Sequence, residues 1–250
     1  QRAVIDGAAS QYLGEVPAGV PAEGDNAFSV AWTPDGGTLL VANVWSGNVT
    51  VVDRATGTAT EWLDVGLRTR EVRMSPDGTT AIATAADEAL AAVIDVASAQ
   101  VTDVLFPGTR PGPVRFAPDS SAAYILNIAG TDRVSFVDLT GPSPQITAQL
   151  PVGQAGAASG PTFTEWSGME LSPDGATLVV CDSFNDQLRV FDTATRAEVA
   201  TVPTGDFPLR VAFGPNSDRA YVVNHFGDDL TIVDIAGAAS QAIGTVSGLA

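Results

Sequence analysis

The sequence predicts an all-β chain built as a β-propeller of four-stranded blades, from two short anchors and the constant distance between them. The first anchor is a turn: Thr33-Pro34-Asp35-Gly36, Ser75-Pro76-Asp77-Gly78, Ala117-Pro118-Asp119-Ser120, Ser172-Pro173-Asp174-Gly175 and Gly214-Pro215-Asn216-Ser217. The second is an aspartate closing a β-branched or aromatic run, at Asp6, Asp53, Asp95, Asp138, Asp192 and Asp234. Turn prolines are spaced 42, 42, 55 and 42 residues apart, and from turn Asp or Asn to strand-end Asp is 18, 18, 19, 18 and 18 residues. A fixed period of this length marks a repeat architecture whose units stack, because one unit cannot bury both of its faces.

Each unit reads as four short strands. In the last, Val211–Phe213 precedes the Pro-Asn turn, Ala220–Val223 follows it, Leu230–Val233 stops at Asp234, and Ala242–Val246 closes the unit. Proline fixes φ for the second turn position, and Asp or Asn followed by Gly or Ser suits the next two. Four strands in about 42 residues, with turn chemistry between them and almost no helical periodicity, is the pattern of a blade. Along the chain, residues 1–27 hold only the last two strands of a unit, Ala3–Ile5 and Tyr12–Val16. Complete blades follow at 28–70, 71–111, 112–164, 165–208 and 209–250, all in one domain spanning 1–250. A six-bladed ring needs roughly 20 more residues and a seven-bladed one roughly 60, so a longer chain or a partner is expected to complete it. The 55-residue step reflects a Gly/Ala/Ser-rich insertion near Gly153–Pro161, read as a surface loop.

The runs Tyr221-Val222-Val223-Asn224, Tyr124-Ile125-Leu126-Asn127 and Leu40-Val41-Ala42-Asn43, each following its turn, resemble the YVTN repeat. The endings Val49–Asp53 and Leu188–Asp192 extend the likeness, while Ala81–Thr84 and Leu178–Asp182 keep the register without the motif. The chain thus resembles the YVTN-repeat, lactonase-like β-propeller family over its whole length. The resemblance implies a propeller fold and cell-surface or periplasmic relatives; it is nearly silent on activity.

Composition narrows the function. The net charge is −17, from 12 basic and 29 acidic residues, and every basic residue is arginine. That charge argues against nucleic acid or an anionic membrane as partner. Absence of lysine excludes a P-loop or Schiff base, and one cysteine, Cys181, excludes an internal disulfide or a Cys-pair site. No apolar run approaches the ~18 residues that span a bilayer. The chain starts at Gln1 with no signal pattern and reads as a processed or partial product.

One asymmetry points to a ligand. The innermost strands and the connections into them (24–32, 66–74, 108–116, 160–171 and 205–213) hold six of the 12 arginines in 48 residues: Arg68, Arg70, Arg73, Arg110, Arg115 and Arg210. With Glu170 and Trp166 they form the candidate ligand-binding set at a channel mouth, suited to a small carboxylate or phosphate because guanidinium donates a bidentate fork. The competing reading is a water-filled channel in which these charges pair with Glu71, Glu170 and backbone carbonyls. Trp32 shares its repeat position with Met74, Phe116, Leu171 and Phe213 and is expected in the core. His225, the only histidine, reads as a surface residue in a loop away from the axis. No catalytic residue, metal ligand set or cofactor is expected; Asp228-Asp229 and Asp182 with Asp186 offer at most a weak ion site.

The expected function is a non-catalytic, extracytoplasmic interaction or scaffolding module with a protein partner or larger assembly, able to bind a small anion at the channel mouth. A lactonase-like hydrolase is the alternative, and an accessory subunit of a redox or multi-protein assembly the second; direct membrane insertion is not expected.

Overall fold

The structure, a computed structural model, describes residues 2–6, 11–16, 26–128, 133–152 and 168–248. The chain packs as two compact units, Gln1–Val114 and Arg115–Ala250. The first unit opens with an antiparallel pair, β1 (Arg2–Asp6) and β2 (Gln11–Val16). It continues with two four-stranded antiparallel sheets in simple up-and-down order. One is β3 (Ala27–Trp32), β4 (Thr38–Asn43), β5 (Asn48–Asp53) and β6 (Thr58–Asp64). The other is β7 (Thr69–Met74), β8 (Thr80–Ala85), β9 (Leu90–Asp95) and β10 (Gln100–Leu105).

A sheet of β11 (Pro111–Phe116), β12 (Ala122–Asn127), β13 (Arg133–Asp138) and β14 (Gln145–Pro151) starts at the border between the units. The second unit adds β15 (Met169–Leu171), β16 (Thr177–Asp182), β17 (Gln187–Asp192) and β18 (Ala197–Pro203). It ends with β19 (Pro208–Phe213), β20 (Arg219–Asn224), β21 (Asp229–Asp234) and β22 (Gln241–Ser247). The sheets fall where the repeat puts them. The strands run one to three residues longer than expected; in β3, β7 and β19 pairing continues through a bulge at the start of the strand, such as Pro208/Arg210.

Both anchors have a hydrogen-bonding reason. In the first-to-second turn the aspartate accepts a hydroxyl from two residues back and an amide from two residues on: Asp35 from Thr33 Oγ1 (2.6 Å) and Gly37 N (2.9 Å). Asp77 does the same with Ser75 and Thr79. In the third-to-fourth turn Asp53, Asp95 and Asp192 each accept the amide and hydroxyl of the residue three positions on. Such local bonds offer the backbone a turn instead of a continued strand. A backbone bond then ties the two turns of each sheet together, as in Arg54 N to Gly37 O and Thr193 N to Ala176 O.

These bonds hold Asp35, Asp95, Asp119, Asp138, Asp174 and Asp192 below the usual carboxylate range, the partner hydroxyl having the largest effect and the amide next. For Asp53 the Thr56 amide leads. A depressed folded value stabilises above the unfolded value of 3.8 and is lost as pH falls through the folded one. The midpoint of thermal unfolding is therefore expected to hold between neutrality and about pH 4, then drop steadily below it. Asp192→Asn should blunt the drop in a pH series of melts; an unchanged acid limb in that variant would refute the assignment.

Apolar residues alternate out of the strands into layers between neighbouring sheets. In the first unit Leu40, Ala42, Val49 and Val51 of one sheet meet Val72, Ala81, Ala83, Ala92 and Ile94 of the next. In the second, Tyr124, Leu126, Val134 and Phe136 meet Met169, Leu178 and Val180, and Val179, Cys181, Leu188 and Val190 meet Val211, Ala220, Val222 and Val233. Cys181 is fully buried, and burial pushes its thiol up to about 12, as suits a small core residue. Trp32 departs from expectation: it is 48% exposed, whereas Phe116 and Leu171 at the same register are buried. That position packs a sheet onto the one before it, as Met74 does on the first sheet and Phe213 on the fourth, and no described four-stranded sheet precedes Trp32.

A polar cluster ends the second strand in four of the described four-stranded sheets, whereas β8 ends on buried Ala85. Asn43 Nδ2 donates to Asn48 Oδ1 and Thr50 Oγ1, both at 2.8 Å. Asn127 donates to Ser135 Oγ, and Asn224 to Thr231 Oγ1 and Asp229 Oδ1. The sheet of β15–β18 carries a charged version: Asp182 accepts Arg189 Nε at 2.7 Å and Asn185 Nδ2 at 2.8 Å. Thr50, Ser135, Arg189 and Thr231 all occupy the same ladder position on the third strand. The asparagine of the repeat is thus a tie between second and third strands.

Candidate functional site

The first strands carry the charges singled out by sequence, and neighbouring first strands approach closely. In the first unit Ser29 Oγ accepts Val72 N (3.3 Å) and donates to Val72 O (3.4 Å), linking β3 to β7. Arg73, one repeat on from Ala31, donates from Nε to Val114 O (3.4 Å) and lies 3.7 Å from Glu71. In the second unit Arg115 Nε donates to Glu170 Oε1 at 3.0 Å across from β11 to β15. A Cβ on Gly168 would meet Leu209 O at 2.9 Å and Arg210 Cα at 3.0 Å, so β15 and β19 are equally close. Arg73, Arg115 and Glu170 share one repeat position, and each contributes to a tie between successive first strands.

The remaining candidates lie apart from that position. Arg68 (φ 57°) and Arg110 (φ 50°) sit on the turn into the first strand, at the position of Phe207 (φ 57°). Left-handed backbone is unusual for such side chains and turns the chain sharply into the strand. Arg68 pairs with Asp87 at 3.4 Å, on the rim. Arg70 is buried in the bulge, its guanidinium 5.9 Å from the centre of the Phe28 ring. Arg210 is exposed on β19 and donates to the Leu209 carbonyl. Trp166 and the 153–161 insertion lie outside the described residues. Among the described residues no three His, Cys, Asp or Glu side chains converge as metal ligands.

His225 is exposed in the second-to-third loop, as expected of a surface residue. Its amide donates to Phe207 O at 2.9 Å and the Phe226 amide donates to Asp206 O at 3.2 Å, so the second-to-third loop is bound to the connection leading into the first strand. His225 therefore shares that end of the sheet, with its ring 6.4 Å from Phe207 and 4.8 Å from Phe226.

No family model matches the chain, and no curated protein does. Among solved structures, it is similar to a chain of the mitotic checkpoint complex (16% identity, 98% of this chain and 71% of that one, TM-score 0.75). It is similar to the Cps50 (Swd1) β-propeller domain of Myceliophteria thermophila (11% identity, 84% and 66%, TM-score 0.64). The fold is a β-propeller. Kuenenia stuttgartiensis hydrazine synthase also matches (19% identity, 94% and 89%, TM-score 0.50). At these identities the likeness concerns the fold.

In this propeller the sequence reading missed a set of exposed rings. Trp45 (63% exposed), Phe184 (44%) and Phe226 (54%) occupy one repeat position, the second residue after the second strand. A large apolar side chain at a loop tip contributes little to folding; Phe184 and Phe226 both pack on Phe207, and an exposed apolar cluster of this kind marks an interaction surface. The signal was available as an aromatic recurring at one loop position in the repeat register.

Proposed function

We propose that the chain is a non-catalytic propeller module that holds a protein partner, set outside the cytoplasm among relatives of the YVTN-repeat propellers. The observation that carries the reading is the display of Trp45, Phe184 and Phe226 on second-to-third loops, on a scaffold whose first-strand charges are engaged in ties between strands. The similar fold in the mitotic checkpoint complex belongs to an assembly, which supports the same use here. The extracytoplasmic setting follows from the YVTN resemblance. To test the reading, the purified chain is incubated with separated extracytoplasmic and cytoplasmic protein fractions of its source cell and cross-linked. A saturable complex of fixed stoichiometry with an extracytoplasmic protein is expected. No such complex in either fraction, or turnover of γ- or δ-lactones by the chain alone, defeats it.

The first-strand arginines give the module a capacity for a small anion. An anion arriving at Arg115 competes with the Glu170 carboxylate, so wild-type affinity is expected to be weak. Glu170→Gln should strengthen inorganic phosphate binding about ten-fold in calorimetry, and Arg115→Ala should remove the gain. Equal heats for wild type, Glu170→Gln and Glu170→Gln/Arg115→Ala would rule this out. Stability should change by less than about 1 kcal/mol in Glu170→Gln, because the pair is partly in water.

A further inference from the structure

We propose that loops 183–186 and 225–228 of the second unit, with Asp206–Phe207 between them, form a docking patch for a cationic, apolar segment of a partner protein. The inference rests on the interaction-module reading and narrows it to one surface and one partner chemistry.

Phe207 is buried and anchors the patch. Phe184 stands edge-on to it with centroids 5.4 Å apart and planes at 78°, and Phe226 lies against it at 4.8 Å. His225 extends the row from Phe226. Backbone bonds hold the second loop on the connection, and Asp186 Oδ1 accepts the Phe207 amide at 2.9 Å, holding the first. Two half-exposed phenyl rings are therefore fixed in place before a partner arrives, which lowers the ordering cost of binding.

The charged residues of these loops and of the connection are all acidic. Asp186, Asp206 and Asp228 are exposed, and these loop and connection residues include neither lysine nor arginine. Among the described residues none of these three carboxylates forms an ion pair, and the acids do not converge as a metal site. A guanidinium or ammonium suits both components at once, stacking over a ring face while donating to a carboxylate. The same charge disfavours the other occupants of an apolar patch. A second copy brings another −17, and an anionic membrane is repelled.

The probe is a fluorescein-labelled peptide of about twelve residues alternating arginine and leucine, with a counterpart carrying glutamine for arginine, titrated by anisotropy at about 150 mM salt. The arginine peptide is expected to bind at least about ten-fold more tightly than its counterpart, with Phe184→Ser/Phe226→Ser and Asp206→Asn/Asp228→Asn each weakening it about ten-fold. Glu61→Gln/Asp64→Asn, which removes the same charge from the first unit, should leave affinity within about two-fold. The proposal is overturned if the arginine peptide does not bind, if either patch pair stays within about two-fold of wild type, or if the first-unit pair loses as much. A chain that forms the cross-linked complex above but fails here refutes the patch alone; failure of both refutes the module reading as well.

Discussion

Arg189→Thr is expected to destabilise the second unit by about 3 kcal/mol, and Asp182→Asn added to it is expected to restore most of that loss. Asp182 is fully buried and its charge is met by Arg189 Nε at 2.7 Å; the guanidinium is 19% exposed and also reaches Glu198 at 3.0 Å. Removing the arginine leaves a buried carboxylate with, among the described residues, only Asn185 Nδ2 as donor. Breaking a buried pair from one side costs about 3–5 kcal/mol, and partial exposure of the guanidinium puts this case at the lower end. Glu198 is itself part-exposed and returns to water cheaply.

The double variant rebuilds what the other sheets use. Asparagine at 182 with threonine at 189 reproduces the amide-to-hydroxyl tie of Asn43 with Thr50 and of Asn224 with Thr231, at the same ladder position. A coupling energy of about 2 kcal/mol is expected from a double-mutant cycle in urea, followed by hydrogen exchange in β16 and β17. Additive single effects would show that Asp182 and Arg189 act independently. An Arg189→Thr loss below about 1 kcal/mol would show that water reaches the carboxylate.

The same pair marks where sequence reading succeeds and where it stops. Asp182 stands out from the sequence alone as a departure from the repeat asparagine. Its compensation at Arg189 is visible only once the ladder places residue 189 beside 180 and next to 182. Turn and strand-end anchors were legible because their chemistry is local: Asp35 needs only Thr33 and Gly37 to make its turn. Burial at a sheet face was less legible, because it depends on which sheet lies next. Trp32 has the same register as Phe116, yet it is exposed. The arginine enrichment of the first strands was legible as composition, but not the role of each residue. Arg70 turns inward beside Phe28, Arg68 goes to Asp87, and Arg115 crosses to Glu170. The ring cluster around Phe207 was illegible for a further reason: the rings come from two loops about 40 residues apart that meet only through the repeat.

Gly78→Ala and Gly175→Ala are each expected to cost about 3 kcal/mol, against about 1 kcal/mol for Gly36→Ala. All three occupy the fourth position of the first-to-second turn with φ between 68° and 76°, where an L side chain is strained by about 1–2 kcal/mol. Space separates them. A Cβ on Gly36 meets nothing within 4 Å, whereas on Gly78 it comes 2.5 Å from Pro34 Cδ and on Gly175 2.7 Å from Pro118 Cδ. The turn glycine of one sheet is therefore the seat for the turn proline of the sheet before it, and a methyl group there adds about 1–3 kcal/mol of overpacking. Ser217 shows another solution at this position: with φ 63°, it accepts the Asp174 amide on its hydroxyl at 3.1 Å. Denaturant unfolding of the three glycine variants, with Pro34→Ala combined with Gly78→Ala, separates backbone strain from packing. The double variant should recover about 1–2 kcal/mol of the Gly78→Ala loss, since removing Cδ leaves only the strain. Equal losses at Gly36 and Gly78, or no recovery on removing the proline ring, would mean that the turns of successive sheets do not interlock and that their glycines serve backbone conformation alone.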